Sequence, residues 1–450
     1  MRPDLVEKYR SQRVPRYTSY PSSPHFSADV GAEAYRRWLG ALGGARHLSL
    51  YVHVPFCRSM CWYCGCHTTI VPHDDPVLRY LAALTKEAET VGALVPDGPA
   101  VSHLHFGGGT PTLMPAAAFT WLMRDLRAAF AFDPAADIAV EIDPRTLKDD
   151  MPEALAVSGV TRASLGVQSF DPEVQAAINR VQTPEMTAAA VGSLRRAGIR
   201  GLNLDLIYGL PRQTVRSCVD TVETALAFDP DRFSVFGYAH MPGFKGHQSR
   251  IAEGDLPDAE ERVRQTLAIE DTLLANGYVR IGFDHFAKPT DPIAVAAANG
   301  TLRRNFQGYT TDDADALIGL GASAIGRLPD GFIANIVPVP GYMKAVAADG
   351  LAVGRGFAIG AEDRLRSELI ERLMCDFAVD VEAVALRHGI HPARVMPDPD
   401  ALEEMEADGL IELAGTRIRV RDDVHALVRS VAALFDAYLD PAGLRHSKAI

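Results

Sequence analysis

Between residues 47 and 277 the chain alternates short apolar runs with longer amphipathic stretches. HLSLYVHVP (47–55), VSHLHFGGG (101–109), DIAVEIDP (137–144), RASLGVQSF (162–170), GLNLDLIYGLP (201–211) and DRFSVFGYAH (231–240) predict strands. Segments with helical periodicity follow them: 77–94, 117–130, 152–159, 184–198, 214–228 and 260–277, two of them stopped by Gly198 and Gly277. The strands read as apolar on both faces, which belongs to parallel sheets with helical crossovers. The expected fold class is therefore α/β, a partial (β/α)6 TIM-like barrel; a doubly wound open sheet is the alternative.

The flanks follow other patterns. Residues 1–45 are polar and rich in Pro, Ser and Tyr, and predict an extended N-terminal arm with at most one helix, near AEAYRRWLGAL. The barrel is expected over 46–290. A glycine-rich segment over 291–360 reads as a layer closing it, and 361–450 as a mainly helical, winged-helix-like domain. The 450 residues, 47% of them apolar and 23% charged, can bury a sizeable core without disulfide staples. Lys plus Arg is 45 and Asp plus Glu is 57, a net charge of −12, which argues against a nucleic-acid binder and makes the C-terminal domain a packing module. No run approaches the roughly 18 apolar residues of a membrane span. MRPDLVEKYRSQR lacks the apolar centre of a secretory signal, so a cytoplasmic location and a monomer are expected.

Cysteine usage changes the picture most. Of six cysteines, Cys57, Cys61, Cys64 and Cys66 share one short loop after the first strand, while Cys218 and Cys375 stand alone in helical segments as core fillers. The spacing C-x3-C-x2-C suits a cubane iron–sulfur cluster held by Cys57, Cys61 and Cys64, with one iron open to reaction. Cys66, two residues past Cys64, is expected outside the ligand set. A Cys3His zinc site completed by His67 is the other reading. At the predicted strand ends, Gly107, Gly108 and Gly109 allow close backbone approach to a ligand. Glu141, Gln168 and Asp205 lie at the functional face of a barrel, and Asp143 reads as a cap or loop ion pair. His53, His103 and His105 read as hydrogen-bonded interior groups, and Tyr17, Tyr20 and Phe306 as packing or pocket aromatics. Arg10, Arg13 and Arg16 on the arm, with Arg303 and Arg304, are the best local cations for a carboxylate-bearing ligand, and an arm poor in core residues is expected to order on binding.

C-x3-C-x2-C after a strand resembles the radical S-adenosylmethionine superfamily. PRYTSYP (15–21), YVHVPFC with the extra Cys66, HFGGGTPT (105–112), EIDPRTL (141–147), SLGVQSF (164–170), INRVQT (178–183), NLDLIYGLP (203–211), GFDHFAKP (282–289) and RRNFQGYT (303–310) resemble the oxygen-independent coproporphyrinogen III dehydrogenase family within it. The resemblance implies a 4Fe-4S cluster, two S-adenosylmethionine molecules per chain and coproporphyrinogen III as substrate. It also implies an external electron donor of flavodoxin or ferredoxin type. Tyr51, Gly108, Glu141 and Ile325 would contact one S-adenosylmethionine. Tyr63, Gly109, Thr110, Gln168, Arg180, Asp205 and Ala239 would contact the second. A heme chaperone that shares the barrel motifs but does no decarboxylation is the alternative within the superfamily.

Overall fold

The computed structural model describes Leu5, Lys8, Tyr9, Gln12 and residues 14–439, so Arg10 and Arg13 lie outside the described residues. The chain divides into two compact units. A barrel unit comprises Phe26–Pro257 and Asp312–Ala358; a wing unit draws its described residues from Met1–His25, Asp258–Thr311 and Ile359–Ile450.

In the barrel unit, β1 (His47–Val54), β2 (Ala100–Gly108), β3 (Phe132–Ile142), β4 (Arg162–Gln168), β5 (Gly201–Tyr208) and β6 (Arg232–Gly237) pair in parallel in that order. The crossovers carry α1 (Asp75–Leu94), α2 (Ala116–Ala129), α3 (Met151–Val157), α4 (Pro184–Arg196) and α5 (Val215–Leu226). α1 packs on α2, α2 on α3 and α3 on α4. Sequential strand order without reversal, with helices side by side, is barrel winding; a doubly wound sheet reverses its order at a switch point. The segment read as a closing layer instead extends the sheet. β7 (Ala316–Leu320) pairs in parallel with β1, and β8 (Ile325–Leu328), β9 (Gly331–Asn335) and β10 (Val353–Ala358) continue as an antiparallel meander.

The strands are not apolar on both faces. Leu104, Phe106, Val140, Leu165 and Leu204 are buried, and Phe106 meets Phe119 of α2 with ring centroids 5.0 Å apart. The opposite face carries Tyr51, His53, His105, Glu141, Ser164, Asn203 and Asp205, each within a hydrogen-bond network. Alternation sends successive side chains to opposite faces, and here the second face is reserved for polar groups.

In the wing unit, the helix Ala361–Asp376 buries Leu365, Leu369, Leu373 and Met374. It ends one turn earlier than its periodicity suggests, because Phe377 takes a left-handed conformation (φ 56°) that caps it. Ala378–Asp380 then pairs with Arg417–Val420, which pairs with Ile411–Ala414, making a three-stranded wing rather than a hairpin alone. Beyond it the chain runs through the 3-10 turns Asp422–Leu427 and Ala433–Phe435 on either side of the short helix Val428–Ala432. The arm is not a loose tail: Leu5, Tyr9, Tyr17 and Tyr20 belong to the same hydrophobic core as this domain. Tyr17 donates to Asp436 at 3.1 Å and Tyr20 Oη accepts from the Ala437 amide at 3.0 Å.

Candidate active site

β1 runs straight into the cysteine loop, whose backbone is clamped at several points. Asn179 donates to the Met60 carbonyl at 2.8 Å, and the Trp62 amide donates to Ile178 at 2.9 Å. From the segment 245–248, Lys245 donates to the Cys66 carbonyl (3.1 Å), His247 Nε2 to that of Cys64 (2.7 Å) and Gln248 to that of Tyr63 (2.9 Å). Nothing in the pattern MPGFKGHQSR announces this role; its ligands are backbone carbonyls, which carry no sequence signal.

Each of the three cysteines expected as ligands has polar groups aimed at its sulfur. Thr68 Oγ1 donates to Cys57 Sγ at 3.3 Å, and Thr110 Oγ1 lies 3.5 Å from it. Arg145 and Arg180 donate to Cys61 Sγ at 3.4 and 3.6 Å. The Cys66 amide donates to Cys64 Sγ at 3.4 Å. The Cys66 side chain is the main cause that brings the Cys64 thiol down to about 6, while Cys66 itself is pushed up. Donors around sulfur favour thiolate, the form that binds metal, and at Cys57 they work against burial, which pushes that thiol up. This donor set fits an iron–sulfur cluster on Cys57, Cys61 and Cys64. Among the described residues, no three Cys, His, Asp or Glu side chains converge on one metal-ion point; cubane ligands each hold a separate iron and need no such convergence.

Beside the loop, the inner face of β1–β3 forms a cradle. Tyr51 Oη lies 2.9 Å from His53 Nδ1, and His53 Nε2 lies 3.2 Å from the His67 carbonyl. A carbonyl only accepts, so the His53 proton sits on Nε2 and Tyr51 donates to Nδ1. Burial lowers the His53 pKa and keeps it neutral. Glu141 accepts from His105 Nε2 at 3.2 Å and from the Gly108 amide at 3.1 Å. Burial alone would raise its pKa, but these two donors hold it below the usual range. A Cβ on Gly107 would lie 2.8 Å from Glu141 Oε1, one on Gly108 2.5 Å from the His53 ring, and one on Gly109 2.6 Å from the Phe56 carbonyl oxygen. The run of three glycines is thus demanded by the packing of its neighbours. Ile325 reaches the same cradle through its backbone: a Cβ on Gly319, the β7 partner of Tyr51, would touch the Ile325 carbonyl carbon at 2.8 Å.

A second group surrounds Asp143. Arg145 makes a forked ion pair with it (2.6 and 3.0 Å), and Arg180 adds bonds of 3.3 Å. Burial would raise the Asp143 pKa, yet Arg180 and Arg145 hold it low. The loop ion pair expected for Asp143 is therefore present, with Arg145 as the partner that sequence reading passed over inside EIDPRTL. Arg180 also donates to the Gly166 carbonyl at 2.6 Å, beside Gln168, whose φ is 71°. Among the described residues, the buried Arg180 Nε has no hydrogen-bond partner, a donor left over for a ligand. Tyr63 is the leading charge influence that raises Arg180 against its burial. Asp205, the β5 partner of Gly166, accepts from Ser164 (3.0 Å) and Asn203 (2.7 Å). Ala239 follows β6, half-buried, next to Tyr238, whose hydroxyl meets His240. Thr110 is buried against Cys57.

Of the cationic candidates in the wing unit, Arg303 pairs with Glu371 at 3.1 Å. Arg304 donates to the carbonyls of Arg16 and Tyr17 and lies over the rings of Phe283 and Tyr309. Tyr17 and Tyr20 are core residues.

Comparison with known proteins adds the identity of this arrangement. The Radical SAM superfamily model matches residues 51–225, and the HemN C-terminal domain model matches residues 359–422. The oxygen-independent coproporphyrinogen III oxidase of Bradyrhizobium diazoefficiens is 54% identical over 454 residues, covering 100% of both chains. The chain belongs to the oxygen-independent coproporphyrinogen III oxidase family. Another oxygen-independent coproporphyrinogen III oxidase, from Salmonella typhimurium, is 39% identical over 97% of this chain and 95% of its own. The solved coproporphyrinogen III oxidase (HemN) of Escherichia coli, described as a radical SAM enzyme, superposes with a TM-score of 0.90 at 37% identity over 95% of this chain and all of its own. The Radical SAM superfamily match takes in β2 to β5, strands that carry part of this inner face. No helix among the described residues is long and apolar enough to cross a membrane.

Proposed function

We propose that the chain catalyses the oxygen-independent oxidative decarboxylation of two propionate side chains of coproporphyrinogen III, giving protoporphyrinogen IX. Full-length identity of 54% to a named oxidase carries this reading. A 4Fe-4S cluster with S-adenosylmethionine would supply the radical hydrogen abstraction at the propionate β-carbon that this decarboxylation requires. The chain's own groups hold and shield. Cys57, Cys61 and Cys64 carry the cluster. Thr68 and Thr110 aim their hydroxyls at the Cys57 sulfur, Arg145 and Arg180 aim guanidinium nitrogens at the Cys61 sulfur, and the clamps of Asn179, His247 and Gln248 fix the loop. We assign Tyr51, Gly108, Glu141 and Ile325 to one S-adenosylmethionine. Glu141 suits an ammonium or ribose hydroxyl because it stays ionised. Tyr63, Gly109, Thr110, Gln168, Arg180, Asp205 and Ala239 are assigned to a second; the free Nε of Arg180 supports that reading. The enzyme works as a cytoplasmic monomer that takes electrons from a flavodoxin- or ferredoxin-like donor.

The test is anaerobic turnover of coproporphyrinogen III with S-adenosylmethionine and a low-potential reductant. Protoporphyrinogen should form with two methionines released per product. Cluster-loaded protein that binds heme and makes no vinyl product would overturn the assignment in favour of a chaperone.

A further inference from the structure

The Asp143–Arg145 ion pair is buried beside the cysteine loop. The side chains of Arg145, Asp143 and Arg180 keep only 15%, 11% and 6% of their exposure. Two guanidiniums and one carboxylate leave one net positive charge there. Both guanidiniums also point a nitrogen at Cys61 Sγ. Arg145 gives Nε and Nη2 to Asp143, and the same Nη2 also donates to the sulfur at 3.4 Å, so the carboxylate fixes the donor's aim as well as balancing part of its charge. Hydrogen bonds to cluster sulfurs and the local charge are levers by which a protein sets a cluster's reduction potential.

We propose that Arg145 is a redox-tuning positioning residue: aimed by Asp143 at the Cys61 sulfur, it raises the reduction potential of the cluster and so eases acceptance of the one electron that starts each turnover. The inference rests on the ligand role of Cys61 proposed above. Reduction adds one electron, delivered by the external donor, with no bond made and no proton moved. Extra negative charge beside a fixed positive charge in a water-poor site is stabilised. Removing the Arg145 charge brings the local sum to zero and should lower the potential. Neutralising Asp143 brings it to two positive charges and should raise it. A merely structural ion pair predicts no such opposition of sign.

The experiment is a dye-mediated anaerobic redox titration of the reconstituted full chain without S-adenosylmethionine, followed by electron paramagnetic resonance of the reduced cluster. Iron and sulfide are counted first, with Cys61→Ser as control. Arg145→Gln should shift the oxidised-to-reduced ratio at fixed potential about tenfold toward oxidised, about 59 mV for a one-electron couple. Arg145→Lys should recover part of the shift, and Asp143→Asn should move the ratio the other way. A full cluster count in Cys61→Ser overturns the ligand assignment. A cluster-loaded Arg145→Gln chain with an unmoved potential, or the same direction of shift in Arg145→Gln and Asp143→Asn, overturns the tuning role alone. Where Arg145→Gln fails to take up iron, an unmoved potential in Arg145→Lys and Asp143→Asn overturns it equally.

Discussion

In the wing unit, burial goes to Leu365, Leu369, Leu373, Met374, Val428 and Val431, side chains with nothing to satisfy. On the inner face of the barrel unit it goes to Arg180, Asp143 and His53, and each meets a named partner. Apolar burial is non-directional and tolerates repacking. A buried charge tolerates nothing, because loss of one partner strands the other. The first region should therefore answer substitution in units of stability and the second in units of binding and chemistry.

The sharpest break in that contrast is at the cysteines. Cys57→Ser, Cys61→Ser and Cys64→Ser should each abolish product formation, with the cluster lost or depleted, while leaving the fold in place. Cys66→Ser should keep a full cluster if, as proposed, Cys66 serves Cys64 through its amide and thiol and is not itself a ligand. Iron and sulfide counts after anaerobic reconstitution, beside circular dichroism, check both halves. Loss of the cluster only in Cys66→Ser would reverse the assignment.

On the other side of the comparison, Leu369→Ala in the wing core should cost about 2–5 kcal/mol by opening a cavity in a fully buried cluster. Urea denaturation reads this directly. A loss below about 1 kcal/mol would mean that this core collapses around the gap.

These two regions were also unequally legible. Leu365, Leu369 and Leu373 repeat every four residues, so the wing helix could be read from periodicity, although its end could not. Phe377 in a left-handed cap is a conformation that an aromatic residue does not advertise. In the barrel unit the six strands stood out as apolar runs, but their polar second face did not, since the few polar residues between apolar ones read as interruptions. The cysteines and glycines were visible because their chemistry is unusual. Arg145, His247 and Gln248 were not, because an arginine, a histidine and a glutamine are ordinary surface residues until folding aims them at a sulfur or at loop carbonyls. Tyr17 and Tyr20, read as packing or pocket aromatics, do pack; what the polar arm hid is that Leu5 and Tyr9 join them in a core.

Gly108→Ala tests whether the glycine cradle is a binding feature or only a turn. The new Cβ would sit 2.5 Å from the His53 ring, at φ 111°. His53 cannot swing aside without losing both Tyr51 and the His67 carbonyl. Overpacking of this kind costs about 1–3 kcal/mol, and it also displaces the amide that holds Glu141. Equilibrium binding of S-adenosylmethionine to the cluster-loaded chain should weaken at least tenfold. Unchanged affinity would remove Gly108 and Glu141 from the first cofactor set.

The smallest effect concerns a polar group buried outside the cofactor face, where the barrel unit behaves partly like each side of the comparison. Glu87 on α1 is 1% exposed and accepts from the Gly321 amide, Asn335 Nδ2 and Tyr342 Oη, each at 2.7 Å. Burial pushes its pKa up to about 7 from 4.5, against the pull of those three donors. The folded chain therefore holds this proton more tightly than the unfolded chain between those values. Its contribution to stability is complete below pH 4.5 and is lost as the pH rises through about 7. The slope from one such proton is at most about 1.4 kcal/mol per pH unit. Glu87→Gln should remove roughly the full single-proton share of that slope between pH 5 and 7. It should also lower stability at every pH, because a glutamine has one acceptor oxygen where Gly321 and Asn335 require two. The offset and the slope are separable in urea melts taken at several pH values. A variant that keeps the wild-type slope would show that Glu87 stays ionised across the range, its three donors outweighing burial as His105 and Gly108 do for Glu141.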